Sequence, residues 1–257
     1  MNPNTIVVLN VSQPVAMPWL GQVKSVVQIW WPGDEGGLAT AKVLLGEDNP
    51  GGRLSMTWAK RLADTPAGDP AHPERSTNGV NGKTTFSEGV LVGYRWFDHQ
   101  HIEPLFPFGF GLSYTHFTYA DASAAAAAGD GFDISVTIQN TGAMAGDEVA
   151  QVYIDKPEDS PAGVQFADDI LGGFERVHLA AGESRRVVIH VPLRQFQYWS
   201  TKKHQWSTPG GTRTYWVGAS SRDRRLKGQF EVKTSEEGTQ NRPNGSHGPD
   251  TSPHAGS

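Results

Sequence analysis

Two glutamates and a group of tryptophans are the side chains whose type and setting could do chemistry. Glu35 lies in Pro32-Gly33-Asp34-Glu35-Gly36-Gly37, directly before an apolar stretch of helical spacing. Backbone N–H groups and the helix dipole favour a negative charge there, so Glu35 reads first as a structural anion at a helix start and second as a substrate contact. Glu88 sits beside Gly89 in an aromatic stretch. It reads first as an anchor of that loop, through backbone or Arg95 hydrogen bonds, and second as the lining of a ligand site. Asp34 and Asp48 read as cap and turn residues. Trp19 and, less strongly, Trp30, Trp31 and Trp96 offer broad apolar faces of the kind that stack on the C–H patches of pyranose rings. Trp30 and Trp31 follow an apolar run, so one of those rings is expected in the core.

Other chemistries find no support. There is no phosphate-binding Gly-x-x-x-x-Gly-Lys-Ser/Thr loop and no His-Glu-x-x-His zinc motif. Gly109 and Gly111 do not link a strand to a helix, which argues against a dinucleotide fingerprint. Ser113 lies in Gly-Leu-Ser-Tyr-Thr, which lacks the second glycine of a nucleophile elbow. The absence of cysteine removes disulfides, thiolate catalysis and Cys-based metal sites. His247 and His254 fall in a polar tail that would not preorganise them. No cofactor or metal is expected. A net charge of −5 lacks the basic footprint of a nucleic-acid binder, and no stretch approaches the ~20 apolar residues of a membrane span, so neither partner is expected. The first residues do not resemble a signal peptide, so a chain expressed as given is expected in the cytoplasm.

The elements that must position these residues fall into two grammars. Ile6–Val11 and Val26–Trp31 are continuous β-branched and apolar runs, the pattern of strands covered on both faces. A short helix is expected near Pro18–Lys24 and another over Leu38–Leu45, ending at Gly46. Residues 1–60 therefore read as an α/β fragment, part of an α/β sandwich. Such a sheet needs more strands than sixty residues supply, so an unpaired edge and an open apolar face are expected. Residues 61–111 form a connecting segment rich in Pro, Gly and aromatic residues, which should lie pinned against a domain surface. From 112 to 233 the pattern is all-β, with alternation in Phe132–Ile138, Val149–Ile154, Leu171–Leu179, Ser184–Val191, Thr212–Gly218 and Leu226–Lys233. About seven short strands with no Cys pair predict an immunoglobulin/fibronectin III-like sandwich of the fibronectin kind. Ala124–Ala128 reads as a surface loop, and 234–257 as a disordered tail. Tyr198, Trp199, Trp206, Tyr215 and Trp216 are expected to serve packing.

Taken together, the blocks Asn4–Asn10, Pro14–Trp19, Pro32–Gly37, Leu44–Leu54, Glu88–Arg95, Phe106–Tyr114, Leu171–Val177 and Ser220–Asp223 resemble the C-terminal part of glycoside hydrolase family 3, the β-glucosidase and β-xylosidase group. The resemblance implies an N-terminal TIM-like barrel, an α/β sandwich whose last strands and helices open this chain, and an appended fibronectin-like domain. It further implies a β-glucoside or oligosaccharide as the substrate of the complete enzyme. Retaining hydrolysis needs two carboxyl groups ~5–5.5 Å apart. In the family, the nucleophile is a barrel aspartate. The acid/base, where the second domain supplies it, precedes the segment matching Ile6–Val11. No catalytic residue is therefore assigned in this chain, and Trp19, Glu35 and Glu88 remain substrate-binding candidates. Two further readings stay open: a non-catalytic carbohydrate-binding or scaffold module that complements a separately encoded barrel, and an inactive remnant.

Overall fold

The computed structural model describes residue 2 and residues 4–236. It opens with β1 (Ile6–Leu9) and β2 (Ser25–Gln28), which pair in parallel and make a two-stranded sheet with no third member among the described residues. Both strands are shorter than the apolar runs that encode them. β2 stops because Trp30 takes φ 49°, a left-handed conformation that no strand accommodates. The expected double coverage is absent: Ile6 is 49% and Val8 38% exposed, and the anticipated open face is present instead. α1 (Gly36–Leu45) follows and ends as its sequence requires. Gly46 adopts φ 77°, and the N–H groups of Gly46 and Glu47 close onto the carbonyls of Val43 and Lys42.

The connecting segment is pinned, as its aromatic content demands. Trp58, only 2% exposed, bridges to Phe106 through backbone hydrogen bonds and meets Trp30 and Phe106 edge-on at 6.4 Å. Inside the segment, residues read as irregular form α2 (Tyr94–His99), which starts after Gly93 at φ 57°. Six residues are too few for a helix to hold by itself. Here Trp96 Nε1 donates to the Asp64 carbonyl, and Tyr94 packs its ring on Phe108 and Tyr153.

The remainder is the expected sandwich. One sheet runs β11 (Arg224–Val232), β10 (Gly211–Gly218), β5 (Gly146–Asp155), β6 (Asp169–Leu179); the other runs β3 (Phe117–Ala126), β4 (Phe132–Asn140), β7 (Ser184–Val191). Ile134, Val136 and Ile138 of β4 face Ala150, Val152 and Ile154 of β5, with Ile189, Val191 and Val217 closing the core. Three readings change. Ala124–Ala126 belong to β3, paired with Phe132–Ile134, because an alanine has no Cβ branch to mark a strand yet fits one beside a strongly alternating partner. A hairpin of β8 (Tyr198–Ser200) and β9 (Gln205–Thr208) stands between β7 and β10. Its edge is extended by β12 (Ser235–Glu236), which takes the first residues of the expected tail into a strand. The rest of that tail, with His247 and His254, lies outside the described residues. No described helix is long and apolar enough to cross a membrane.

Candidate functional site

Each candidate named from the sequence has a place in this framework. Trp19 precedes the single turn Leu20–Gln22, where its carbonyl accepts the Gln22 N–H and its indole is half-buried. Glu35 is the residue before α1 and is exposed, but its carboxylate caps nothing. At φ −88°, ψ 9° it already has turn geometry, whereas a side chain reaches back to cap from extended backbone. Among the described residues no hydrogen bond, ion pair or ring contact joins Trp19, Glu35 and Glu88.

Glu88 is 7% exposed and does anchor its loop, but not through Arg95. Its partner is Arg75, whose Nε lies 3.7 Å from Glu88 Oε2 and also donates to Ser87 Oγ at 2.7 Å. Arg75 is itself buried over the Trp96 ring. Arg95 instead lies over Tyr94. The loop is fastened to the sandwich by Gln165, which donates to the Glu88 carbonyl and accepts the Val90 N–H. A carboxylate so enclosed acts as a structural counter-ion.

The tryptophans divide. Trp30 contributes to the core beside Trp58, as one of the pair was expected to, while Trp31 is 79% exposed. Tyr215 is buried, but Trp199 on β8 is 47% exposed, so packing covers only part of its ring. Its ring is set edge-on against Trp206 at 5.5 Å, and the Arg194 guanidinium lies 4.1 Å from the Trp206 centroid.

The most concentrated ionisable chemistry lies elsewhere, in an open cleft of about 400 Å³ between α2 and the sandwich. Asp98 of α2 and Asp169 of β6 are both buried. Arg222 Nη1 donates to Asp98 Oδ1, and Arg224 Nη2 donates to Asp169 Oδ2 at 2.6 Å while lying 3.8 Å from Asp98 Oδ2. Burial, reinforced by the negative charge of Asp169, pushes the Asp98 carboxyl up to about 6 against the pull of Arg222 and Arg224. Each carboxylate has an arginine as partner. The cluster is thus a salt-bridge network joining two parts of the chain, with no nucleophile and acid left free for substrate. Only Arg222 lies in one of the resemblance blocks, with Arg224, Asp169 and Asp98 within three residues of one, but more than a hundred residues separate Asp98 from Arg222, and no periodicity links them. Among the described residues no group of His and carboxylate side chains forms a metal site.

Known proteins are similar to this chain in sequence and fold. A family model described as glycosyl hydrolase family 3 C-terminal domain matches residues 1–114, and one described as fibronectin type III-like domain matches residues 148–221. The chain is 37% identical over 235 residues to thermostable β-glucosidase B of Acetivibrio thermocellus, covering 90% of this chain and 30% of that protein. It is also similar to the solved structure of DesR, a β-glucosidase from Streptomyces venezuelae in complex with D-glucose, with TM-score 0.85 and 39% identity over 90% of this chain and 29% of that one. For β-glucosidase 3B from Thermotoga neapolitana in complex with α-D-glucose, the TM-score is 0.79 and the identity 33%, over 90% and 32% of the two chains. The chain thus spans about a third or less of the length of these relatives. It corresponds to the C-terminal portion of the glycoside hydrolase family 3 β-glucosidases: a family 3 C-terminal domain followed by a fibronectin type III-like domain.

Proposed function

We propose that this chain forms the C-terminal part of a retaining β-glucosidase acting on β-glucosides or their oligosaccharides, with nucleophile and acid/base lying outside the sequence given. The observation that carries the reading is that, among the described residues, β1 pairs with β2 alone, with Ile6 and Val8 open, in a chain whose relatives are about three times as long. A TIM-like barrel and the remaining strands, in the same or a separate polypeptide, would cover that face. We divide the chain at residues 60 and 111 and carry the sandwich past 233 to Glu236, whose strand pairs with β9; the end of the family 3 match at 114 supports the second boundary. In this reading Glu35, exposed before α1, and the half-buried Trp19 are the candidate substrate contacts, and Glu88 acts by holding its loop. The test is nitrophenol release from an aryl β-glucoside. No turnover is expected from the chain alone, and turnover is expected when a family 3 barrel polypeptide is added. Turnover by the chain alone that Glu35→Gln abolishes would overturn the proposal.

The exposure of Trp199 favours a second reading, a non-catalytic module that binds polysaccharide through the sandwich. Retardation in a gel containing soluble β-glucan, lost in Trp199→Ala, supports that reading, and unchanged mobility removes it.

A further inference from the structure

The dipeptide Asn-Gly occurs three times in the sequence, at Asn78-Gly79, Asn81-Gly82 and Asn244-Gly245, the last outside the described residues. A glycine nitrogen has no side chain beside it, so it is the peptide nitrogen least hindered from attacking the side-chain amide of the asparagine before it. The two described copies lie three residues apart, and both asparagines are exposed. Their glycine nitrogens nevertheless stand in different surroundings.

The Gly79 N–H is committed. It donates to the Ser76 carbonyl at 3.0 Å and to the Ser76 hydroxyl at 3.2 Å. Thr84 Oγ1 donates to the Ser76 and Thr77 carbonyls, and a Cβ added at Gly79 would strike the Lys83 carbonyl, so this peptide is enclosed. The Gly82 N–H has no acceptor among the described residues, and a Cβ added there would meet nothing within 4 Å. Asn81 is kept at φ 54° by one pair of hydrogen bonds, from the Val80 N–H to the Lys83 carbonyl at 3.0 Å and from the Lys83 N–H to the Val80 carbonyl at 3.1 Å. That pair belongs to no strand, and its residues are exposed, so it opens locally without disturbing the core.

We propose that Asn81 is a site of spontaneous deamidation in the folded chain, and that the fold, rather than the dipeptide, selects it over Asn78. When the Val80–Lys83 pair opens, rotation about the Asn81 Cα–C bond brings the Gly82 nitrogen to Asn81 Cγ. Solvent base takes the Gly82 N–H proton, the N–Cγ bond forms and the Cγ–Nδ2 bond breaks. Nδ2 leaves as ammonia with a proton returned from solvent, and a cyclic imide remains. One water then opens the imide. Addition at the side-chain carbonyl gives an aspartyl residue, and addition at the main-chain carbonyl gives a β-aspartyl residue. One water is consumed and one ammonia released, with no change of oxidation state.

The two products differ in their effect on the turn. Both add a negative charge to a chain of net charge −5. An aspartyl residue tolerates left-handed backbone much as asparagine does. A β-aspartyl residue routes the main chain through one extra atom, which the fixed register of a two-residue reversal does not accommodate, so the Val80–Lys83 pair is lost.

The test incubates the full chain at mildly alkaline pH, folded or in denaturing urea, and reads both asparagines by tandem mass spectrometry. Arg75 and Lys83 bound one tryptic peptide that contains Asn78 and Asn81, so their rates are compared within the same ions. In the folded chain Asn81 should react about tenfold faster than Asn78, the equivalent of one hydrogen bond given up at Gly79. In urea, where both nitrogens are released, the two rates should converge. Equal rates in the folded chain, a faster Asn78, or a preference for Asn81 that persists undiminished in urea would overturn the proposal.

Discussion

The strongest test of how the two halves are joined is the ion pair between Arg53 and Glu148. Arg53 Nη2 donates to Glu148 Oε1 at 2.9 Å, and both side chains are less than a tenth exposed. The same oxygen accepts the Val149 N–H, while Arg53 Nε is buried without a partner. Beside the pair, burial and the charge of Glu148 hold the Tyr119 phenol well above its usual range. Removing one member leaves an uncompensated charge in this setting, which costs about 3–5 kcal/mol. Arg225 lies over the Tyr119 ring and within electrostatic reach of Glu148, so it compensates part of the loss of Arg53. Arg53→Met should therefore fall near 3 kcal/mol and Glu148→Leu, which strands Arg53, near 5 kcal/mol, on the order of the full cost of a broken buried pair. At about 2–4 °C per kcal/mol for a chain of this size, melting should drop by roughly 6–20 °C. The double variant should lose less than the sum, with a coupling of about 2 kcal/mol or more in a double-mutant cycle followed by calorimetry. Single-variant losses under about 1 kcal/mol, or strict additivity, would refute the view that this pair is desolvated and joins the halves.

Three other outcomes follow. Gly109→Ala should destabilise the chain by about 2 kcal/mol, measured by urea unfolding, because Gly109 has φ 81° and an added Cβ would strike the Gln151 amide. Ser87→Ala should flatten the acid limb of the stability profile. Its hydroxyl is the largest cause holding Glu74 at about 2, so the stability present above pH 4.5 and lost as pH falls through about 2 should shrink, as read from melting curves across pH 6–2. Finally, residues 112–236 alone should melt cooperatively but below the full chain, since Glu148, Gln151 and Arg222 lose partners, whereas residues 1–111 alone should not melt cooperatively. A sharp reversible melt of 1–111 would contradict the open-face account of β1 and β2.

The sandwich was legible because its strands obey a period of two. In β7, Val187, Ile189 and Val191 alternate with exposed Arg186, Val188 and His190, so the period of two, marked by Arg186 and His190, sets the inward and outward faces even though Val188 is apolar. Ala124–Ala126 carry no such contrast, and only their register against β4 makes them a strand. α2 was hidden for the opposite reason: Tyr94, Trp96 and Phe97 are buried on different sides of one short turn, held by contacts to Asp64, Phe108 and Tyr153 that lie far away in the chain. The site residues show the same divide. Glu88 was recognisable as an anchor from its loop, yet its partner proved to be Arg75, and a pairing across an irregular segment has no spacing rule. Asp98 and Arg222 carry no signal of their pairing, since a salt bridge between remote segments becomes visible only when the tertiary fold brings them together.

The bridge between Trp58 and Phe106 has an engineering consequence. It fastens both ends of the intervening stretch at one point, so the stretch between behaves as a looped tether with its entry and exit fixed. Its tip is the tight reversal Val80–Lys83, turned by Asn81 at φ 54° and Gly82 at φ 74°, and the residues there face solvent. Closing a longer loop costs little extra entropy once its ends are held. A peptide tag or small reporter grafted between Asn81 and Gly82 should leave the remaining architecture undisturbed, which makes this tip a natural handle for immobilising the protein.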